Sequence, residues 1–139
     1  MGRKPLRVWL AAVVCCWVWS CSPQQQKEPP LTPEGKDYAR TSLQLSDVGM
    51  QAADSYARQT LTEIVGKIKN AGGRTVNRVD VYCMFYDRRG VLVLKERTGI
   101  VKRTLKPGET QNFRLAFDDI PDGWDNQLPK LVIAQVIFS

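Results

Sequence analysis

Hydrophobic and polar side chains alternate along much of the chain, and this period of two predicts β-strands. The clearest example is Val79–Tyr86, in which every second side chain is suited to face a core. The predicted inward set is Val79, Val81, Cys83 and Phe85. Asp87–Gly90 has the composition of a turn, and a second apolar run starts at Val91. The unit is therefore predicted to be a β-hairpin around which the other strands are arranged.

The same alternation predicts strands before and after this hairpin. These strands are Leu43–Val48, Thr60–Asn70, Gln111–Phe117 and Leu131–Phe138. We expect a loop from Gly49 to Arg58, and Gly66 indicates a bulge or a close approach of backbone. Lys106–Glu109 fits a type II turn because its third residue is glycine. The dense charges that follow Gly90 are typical of a strand at a sheet edge.

About seven short strands with turns between them, and no convincing helix, predict an all-β fold for residues 43–139. An immunoglobulin-like antiparallel β-sandwich fits this pattern, and a small open barrel is the alternative. Asp118–Pro129 is predicted to be a loop. Its Trp124 is expected to fold back over the open end of the sandwich, because its large apolar area favours burial.

The first 20 residues have the composition of a secretory leader. Three cations precede an apolar core, Val8–Val18, that is too short for an ordinary transmembrane helix. Val18–Cys21 then resembles the lipobox of bacterial lipoproteins, which are cleaved before a cysteine that carries lipid such as palmitate. We therefore predict a lipoprotein signal peptide over residues 1–20 and lipidation at Cys21; a plain secretory leader is the alternative. Ser22 resembles the pattern sent to the outer membrane, so a periplasm-facing anchor there is expected.

Residues 21–42 are predicted to be the lipidated cysteine followed by a flexible tether. The first half of this segment is rich in proline and glutamine and has no hydrophobic period. Such a composition cannot bury a core. A flexible segment of about 20 residues reaches on the order of 25 Å, which would hold the domain close to the membrane surface.

Three further motifs resemble the FxLYD-type domain of bacterial envelope proteins. They are Gly66–Asn70 at a strand end, Tyr86-Asp87 with Gly90 after the central strand, and Leu105–Glu109 ahead of Phe113. The resemblance covers roughly residues 60–117, with Cys83 and Phe85 in place of the phenylalanine and leucine that name the family. It implies an immunoglobulin-like sandwich and brings no catalytic residues, because the family's motifs are turn and core positions.

The charge of the chain argues against nucleic acid as a partner. The formal net charge is +6, and it falls to +3 once the three leader cations are removed. A nucleic-acid-binding protein needs a more concentrated basic footprint. Seven cations could instead form a strip facing anionic lipid, but interleaved acidic residues favour an ordinary solvated edge. The seven are Arg88, Arg89, Lys95, Arg97, Lys102, Arg103 and Lys106.

No constellation of residues indicates catalysis, a cofactor or a metal. The chain has no histidine, which is the commonest metal ligand and a frequent general base. Cys83 is the only cysteine after Cys21, and its inward position predicts a buried thiol rather than a nucleophile. The aspartates of Asp118–Asp125 lack the spacing of an EF-hand and are predicted to form turns. We therefore expect a protein that is not an enzyme and uses no cofactor.

The last predicted strand is apolar on both faces, although a sandwich strand needs only one buried face. One side carries Val132, Ala134, Val136 and Phe138, and the other carries Leu131, Ile133 and Ile137. The chain's own N-terminal segment or the Trp124 loop is one candidate cover for the second set. The other hypothesis is that Ile133 and Ile137 bind another envelope protein or a second copy of the chain.

These observations together predict a membrane-anchored envelope lipoprotein whose β-sandwich is a non-catalytic protein-interaction or structural module. The alternative is a carrier that holds a lipid or another apolar ligand between its sheets. A carrier would need a cavity in the core, whereas the apolar side chains of the predicted strands are sufficient to fill it. The expected partners are the membrane, through the lipid, and an envelope protein; the oligomeric state stays open.

Overall fold

A computed structural model describes residues 31–54, 60–117 and 121–139 of the chain. The elements are α1 Pro33–Ser42, β1 Leu43–Asp54, β2 Thr60–Asn70, β3 Val76–Tyr86, β4 Leu92–Val101, β5 Thr110–Phe117 and β6 Lys130–Phe138. The predicted signal peptide, Cys21 and the first part of the tether lie outside the described residues. Within the three described ranges, no helix has the length and apolar character needed to cross a membrane.

The strands form two antiparallel sheets of three strands each, with the orders β1-β2-β5 and β4-β3-β6. In chain order these correspond to strands A-B-E and C′-C-F of an immunoglobulin-like sandwich. The predicted all-β sandwich is therefore confirmed. The described ranges hold six strands, one fewer than the predicted number of about seven.

The two sheets enclose a common core built from the predicted inward side chains. β3 contributes Val79, Val81, Cys83 and Phe85, and β5 contributes Phe113, Leu115 and Phe117. Phe85 packs edge-on against Phe117 and Trp124, with ring centroids 5.2 and 5.4 Å apart. Trp124 is buried, as predicted. The three rings fill the space between the sheets at that end, and each such pair adds about 0.5–1.5 kcal/mol beyond its buried area.

Both predicted glycine turns are confirmed by the backbone. Gly90 has a φ of 76°, and the Asp87 carboxylate accepts the backbone N–H groups of Arg89 and Val91 at 2.8 and 2.9 Å. Gly108 has a φ of 79°, in the turn that the backbone N–H of Glu109 closes on the Lys106 carbonyl. These left-handed conformations favour glycine, which is why the turns were visible in the sequence.

Gly66 in β2 marks a close approach rather than a bulge. The pairing of β2 with β5 is continuous through Gly66, which lies opposite Phe113. A Cβ atom at this position would lie 2.5 Å from Cζ of the Phe113 ring. The missing side chain therefore leaves the space that the Phe113 ring occupies.

β1 continues through Gly49–Asp54, where a loop was predicted, so that prediction was wrong for these residues. The strand stays paired with β2 along its whole length apart from a register shift between Ser46 and Gly49. Asp47, within this shift, has a φ of 50°. The small and polar residues after Gly49 have little intrinsic strand preference, so pairing with β2 determines their conformation.

α1 occupies the last ten residues of the segment predicted to be a flexible tether, and that prediction was wrong for them. Thr32 caps the helix, because its Oγ1 accepts the backbone N–H of Gly35 at 3.1 Å. Pro33 and Glu34 then occupy the first turn, where proline and acidic residues are favoured. This Thr-Pro-Glu start was a readable sequence signal that the proline-rich composition obscured.

α1 packs over the long side of the sandwich where the edge strands β1 and β6 meet. Tyr38 lies edge-on to Phe138, with ring centroids 5.0 Å apart. The Tyr38 hydroxyl donates to Asn70 Oδ1 at 2.8 Å and accepts the Arg74 N–H at 3.1 Å. A ten-residue helix is marginal alone, so these contacts stabilise it. The opposite long side of the sandwich lies between β4 and β5.

Candidate binding face

An irregularity in β6 decides which of its side chains point to solvent. Val81 of β3 pairs with Ile133, and the preceding Asp80 pairs with Gln135, which leaves Ala134 as an extra residue. Opposed residues of an antiparallel pair point to the same side of the sheet. One extra residue therefore reverses the sides of all side chains that follow it.

Ile133 and Ile137 consequently lie on opposite sides of β6. Ile133 shares the inward side with Val81 and packs against the core. Ile137 pairs with Arg78 and is 40% exposed. The prediction that the two isoleucines form one docking surface was wrong, because it assumed an unbroken period of two. Val132, which is 38% exposed, accompanies Ile137 on the outward side instead.

We call the solvent side of the sheet β4-β3-β6 the outer face. Its most exposed apolar residues on β6 are Val132 and Ile137, and β3 adds the half-buried Tyr82 and Met84. Lys95 of β4 places its Nζ 3.9 Å from the centroid of the Tyr82 ring. Such a cation–π contact orients both side chains and contributes about 0.5–1 kcal/mol at an exposed site.

The centre of the outer face is Asp80, whose side chain is only 1% exposed. Arg78 Nε donates to one carboxylate oxygen at 2.7 Å, and Arg97 donates to the other from Nε and Nη2 at 3.1 and 2.9 Å. Arg97 Nη2 also donates to the side-chain oxygen of Gln135. A Cβ atom at Gly99 would lie 3.2 Å from Asp80 Oδ1. The glycine therefore leaves room for the carboxylate and its partners.

Burial alone would raise the pKa of Asp80, but hydrogen bonds from Arg78 and Arg97, together with their charges, hold that pKa below its ordinary value of 3.8. The carboxylate is therefore ionised at neutral pH. Because both of its oxygens accept hydrogen bonds from guanidinium groups, it is a fixed charge and not a free base. One carboxylate between two guanidinium groups leaves the centre of the outer face net positive.

The alternation in β3 puts Asp80 and Tyr82 on the side opposite the predicted inward set, but it does not reveal this cluster. Arg97 was predicted only as one of the cations of a solvated sheet edge, and Gln135 had no predicted role. Arg97 and Gln135 are 38 positions apart, and only the register of three strands brings them together. The one local signal was an aspartate between two inward valines, Val79 and Val81, of a strand, where that residue type is depleted.

Cys83 is a core side chain, as predicted. It is fully buried, and burial, followed by the nearby charge of Glu96, raises the pKa of its thiol to about 12. A thiol with that pKa stays protonated at neutral pH and is a poor nucleophile. Among the residues that the structure describes, no group of three or more histidine, cysteine, aspartate or glutamate side chains is placed to hold a metal ion.

No family model and no curated protein matches this sequence. Among solved structures, the chain is similar to a crystal structure of the "Putative ApaA Protein" from Bordetella pertussis. The two sequences are 16% identical, the TM-score is 0.40, and the match covers 69% of this chain and 90% of the other. The resemblance to FxLYD-type domains stays a prediction.

Proposed function

We propose that this protein is a lipid-anchored lipoprotein of the bacterial envelope whose β-sandwich is a non-catalytic module that binds another protein. The proposed contact surface is the outer face. The observation that carries the proposal is that two exposed apolar side chains, Val132 and Ile137, flank a charged cluster that hydrogen bonds hold in place.

Two properties of the outer face favour a protein partner. Its residue types are those that dominate binding energy in protein interfaces, with Tyr82 and Arg97 beside aliphatic anchors. The Arg97 side chain is 13% exposed and already bonded to Asp80 and Gln135. Binding would therefore cost little additional side-chain entropy at this position.

The proposed location depends on the leader and on Cys21. A short apolar core after three cations, followed by Val-Trp-Ser-Cys, supports export and lipidation. Ser22 supports an outer-membrane anchor on the periplasmic side. A module held close to the membrane would meet other envelope proteins at high effective concentration, so even a moderate affinity would be sufficient.

The packing of the core favours the binding module over the carrier. The space between the sheets is occupied at one end by the rings of Phe85, Phe117 and Trp124. Along one long side, α1 packs against the edge strands β1 and β6. A carrier would hold its ligand in that space. Loading an apolar ligand there would require the aromatic cluster to move apart, with the loss of close packing that stabilises the fold.

The proposal is tested by cross-linking in native membranes with the paired variant Val132→Lys and Ile137→Lys. Two lysines on the outer face should abolish a cross-linked adduct that the natural protein forms, because they replace its two exposed apolar side chains on β6 with unpaired charges. Both positions are exposed, so the variant should stay folded, which circular dichroism checks.

The matched control is Val91→Lys with Leu128→Lys. These residues are similarly exposed, at 53% and 45%, and lie outside the strands of the outer face. The control should keep the adduct. Equal loss in both variants, or an adduct that survives the Val132 and Ile137 substitutions, would rule out the outer face as the contact surface.

A further inference from the structure

The long side of the sandwich opposite α1 contains a cleft between the end of β4 and β5, which we call the β4–β5 cleft. Its volume is about 440 Å³, within the usual range for small-ligand sites. Two of its lining residues, Ile100 and Phe113, are 4% and 6% exposed and give it an apolar base. The polar side chains that surround this base belong to Lys102, Arg103, Gln111, Asn112 and Arg114.

Cations from both sheets converge on the β4–β5 cleft. Lys102 and Arg103 follow the end of β4, and Arg114 comes from β5. Arg114 Nε lies 3.6 Å from the Glu63 carboxylate, which is longer than a strong charge-assisted hydrogen bond. Over the ranges that the structure describes, neither Lys102 nor Arg103 forms a salt bridge.

The charge of Arg103 acts on Glu109, but the Glu109 carboxylate is already engaged on its own turn. One oxygen accepts the backbone N–H of Lys106 at 2.8 Å, and the other accepts from Gln111 Nε2 at 3.4 Å. These bonds hold Glu109 on its own turn. The three cations of the cleft thus keep hydrogen-bond donors that the protein does not saturate.

The positive region continues past the end of β4. A second cleft of about 360 Å³ shares Gly99 and Lys102 with the first and is also lined by Arg78 and Asn77. Gly99 lines both clefts and has no side chain that could separate them. Lys102 also borders both clefts. An anion larger than a single phosphate group could therefore extend from one cleft into the other.

We infer that the β4–β5 cleft binds a phosphate-bearing anion, which either a lipid headgroup or a soluble phosphate compound would supply. Arg103 lies just after β4 and Arg114 lies in β5, and guanidinium forks from two segments match the several oxygens of a phosphate. A multiply charged anion also offsets the mutual repulsion of three cations, which a single carboxylate would do only in part. The three cations of the cleft lie outside the Asp80 cluster of the outer face, so the inference does not depend on the proposed protein partner.

The inference is tested with two probes on the full-length protein. Calorimetric titration in a neutral detergent measures binding of inorganic pyrophosphate. Co-sedimentation with phosphatidylcholine vesicles, with and without phosphatidylglycerol, measures headgroup binding. The vesicle experiments use a Cys21→Ser background, so that an acyl chain on Cys21 does not itself carry the protein to the vesicles. The triple variant Lys102→Gln, Arg103→Gln and Arg114→Gln should weaken binding roughly tenfold or more, as expected when charged hydrogen bonds are lost.

The control for net charge is Arg88→Gln with Lys130→Gln, two exposed cations at the other end of the sandwich. It should leave binding close to that of the natural protein. Asn112→Trp is a second cleft variant, which keeps every charge but fills the cleft, and it should also weaken pyrophosphate binding. Circular dichroism checks that each variant is folded.

Cleft-dependent binding of pyrophosphate would identify a soluble phosphate compound as the ligand source. Cleft-dependent binding to phosphatidylglycerol vesicles alone would identify a lipid headgroup, and either result supports the inference. Absence of binding to both probes would overturn it. So would a control variant that loses as much affinity as the triple variant, because binding would then follow net charge and not the cleft.

Discussion

Asp80 is an ionised carboxylate on the solvent side of a sheet, yet its side chain is almost completely buried. Burying a charge is costly unless it is paired and hydrogen-bonded, and Arg78 and Arg97 satisfy both requirements. Arg97 also bonds Gln135, so the cluster links side chains of all three strands of its sheet. Removal of the Asp80 charge would take this carboxylate away from Arg97, whose side chain is only 13% exposed, and losing one member of a buried pair costs more than the pair itself contributes.

Asp80→Asn should lower the free energy of unfolding by roughly 3 kcal/mol at neutral pH. Because the pKa of Asp80 is lower in the folded protein than the ordinary 3.8, the stability from its charge is complete above the unfolded-state pKa. That stability is lost as the pH falls through the lower, folded-state pKa. The deficit of the variant should therefore shrink on acidification. Urea unfolding at about pH 7 and about pH 3 measures it.

The exposed Asp122 provides the control for this experiment. Asp122→Asn should change the free energy of unfolding by less than about 0.5 kcal/mol, as is usual for surface substitutions. A deficit of the Asp80 variant that is the same at both pH values would contradict an electrostatic role. The carboxylate would then act through shape and packing alone.

At the scale of elements, α1 is the part of the fold whose stability depends most on tertiary contacts. Ten residues with one capping threonine form a marginal helix in water. Its contacts with the sandwich include the Tyr38–Phe138 ring pair and the two hydrogen bonds of the Tyr38 hydroxyl. Arg74, whose backbone N–H donates one of these bonds, also places its guanidinium carbon 3.6 Å from the centroid of the Phe138 ring. A few side chains, centred on Tyr38 and Phe138, therefore hold the helix on the sheets.

Tyr38→Ala should lower the free energy of unfolding by roughly 2 kcal/mol, less than a fully buried aromatic because the side chain is half-exposed. It should also increase hydrogen exchange across the helix, because the last turns lose their anchor. Lys36→Ala, at an exposed position of the same helix, is the control and should change neither quantity noticeably. Similar exchange in both variants would show that α1 does not depend on Tyr38.

At the scale of the whole molecule, the proposed lipid determines where the outer face and the β4–β5 cleft act. A single acyl chain gives only marginal membrane binding, at about 0.8 kcal/mol per buried CH₂, so stable anchoring needs the several chains of a lipoprotein. A domain held this way stays near the membrane, where both surfaces would meet their ligands repeatedly.

Cys21→Ser should move the protein from the membrane fraction to the soluble fraction, because serine lacks the thiol that is acylated. Mass spectrometry of the natural protein should show a chain that begins at an acylated Cys21. Cys83→Ser is the control for loss of a thiol as such, and it should stay with membranes. An unmodified Cys21, or a Cys21→Ser variant that still fractionates with membranes, would contradict the anchor.

The fold class, the approximate position of most strands and the main core residues could be predicted from the amino-acid sequence. These features depend on local properties of the chain. Alternation in β3 and β5 assigns a face to each side chain regardless of the partner strand, and Gly90 and Gly108 mark turns because few other residues adopt positive φ. The burial of Cys83 followed from its inward position in this alternation, and the burial of Trp124 followed from the large apolar area of its side chain.

The positions of the candidate sites could not be predicted from the sequence, because they depend on pairing between distant strands. Ala134 is an extra residue only in relation to β3, and that irregularity, not the pattern of β6, separates Ile133 from Ile137. The register of three strands likewise brings Arg97 and Gln135 to Asp80. Strand patterns assign a side chain to a face, whereas neighbours on that face are set by register, which a single sequence does not specify.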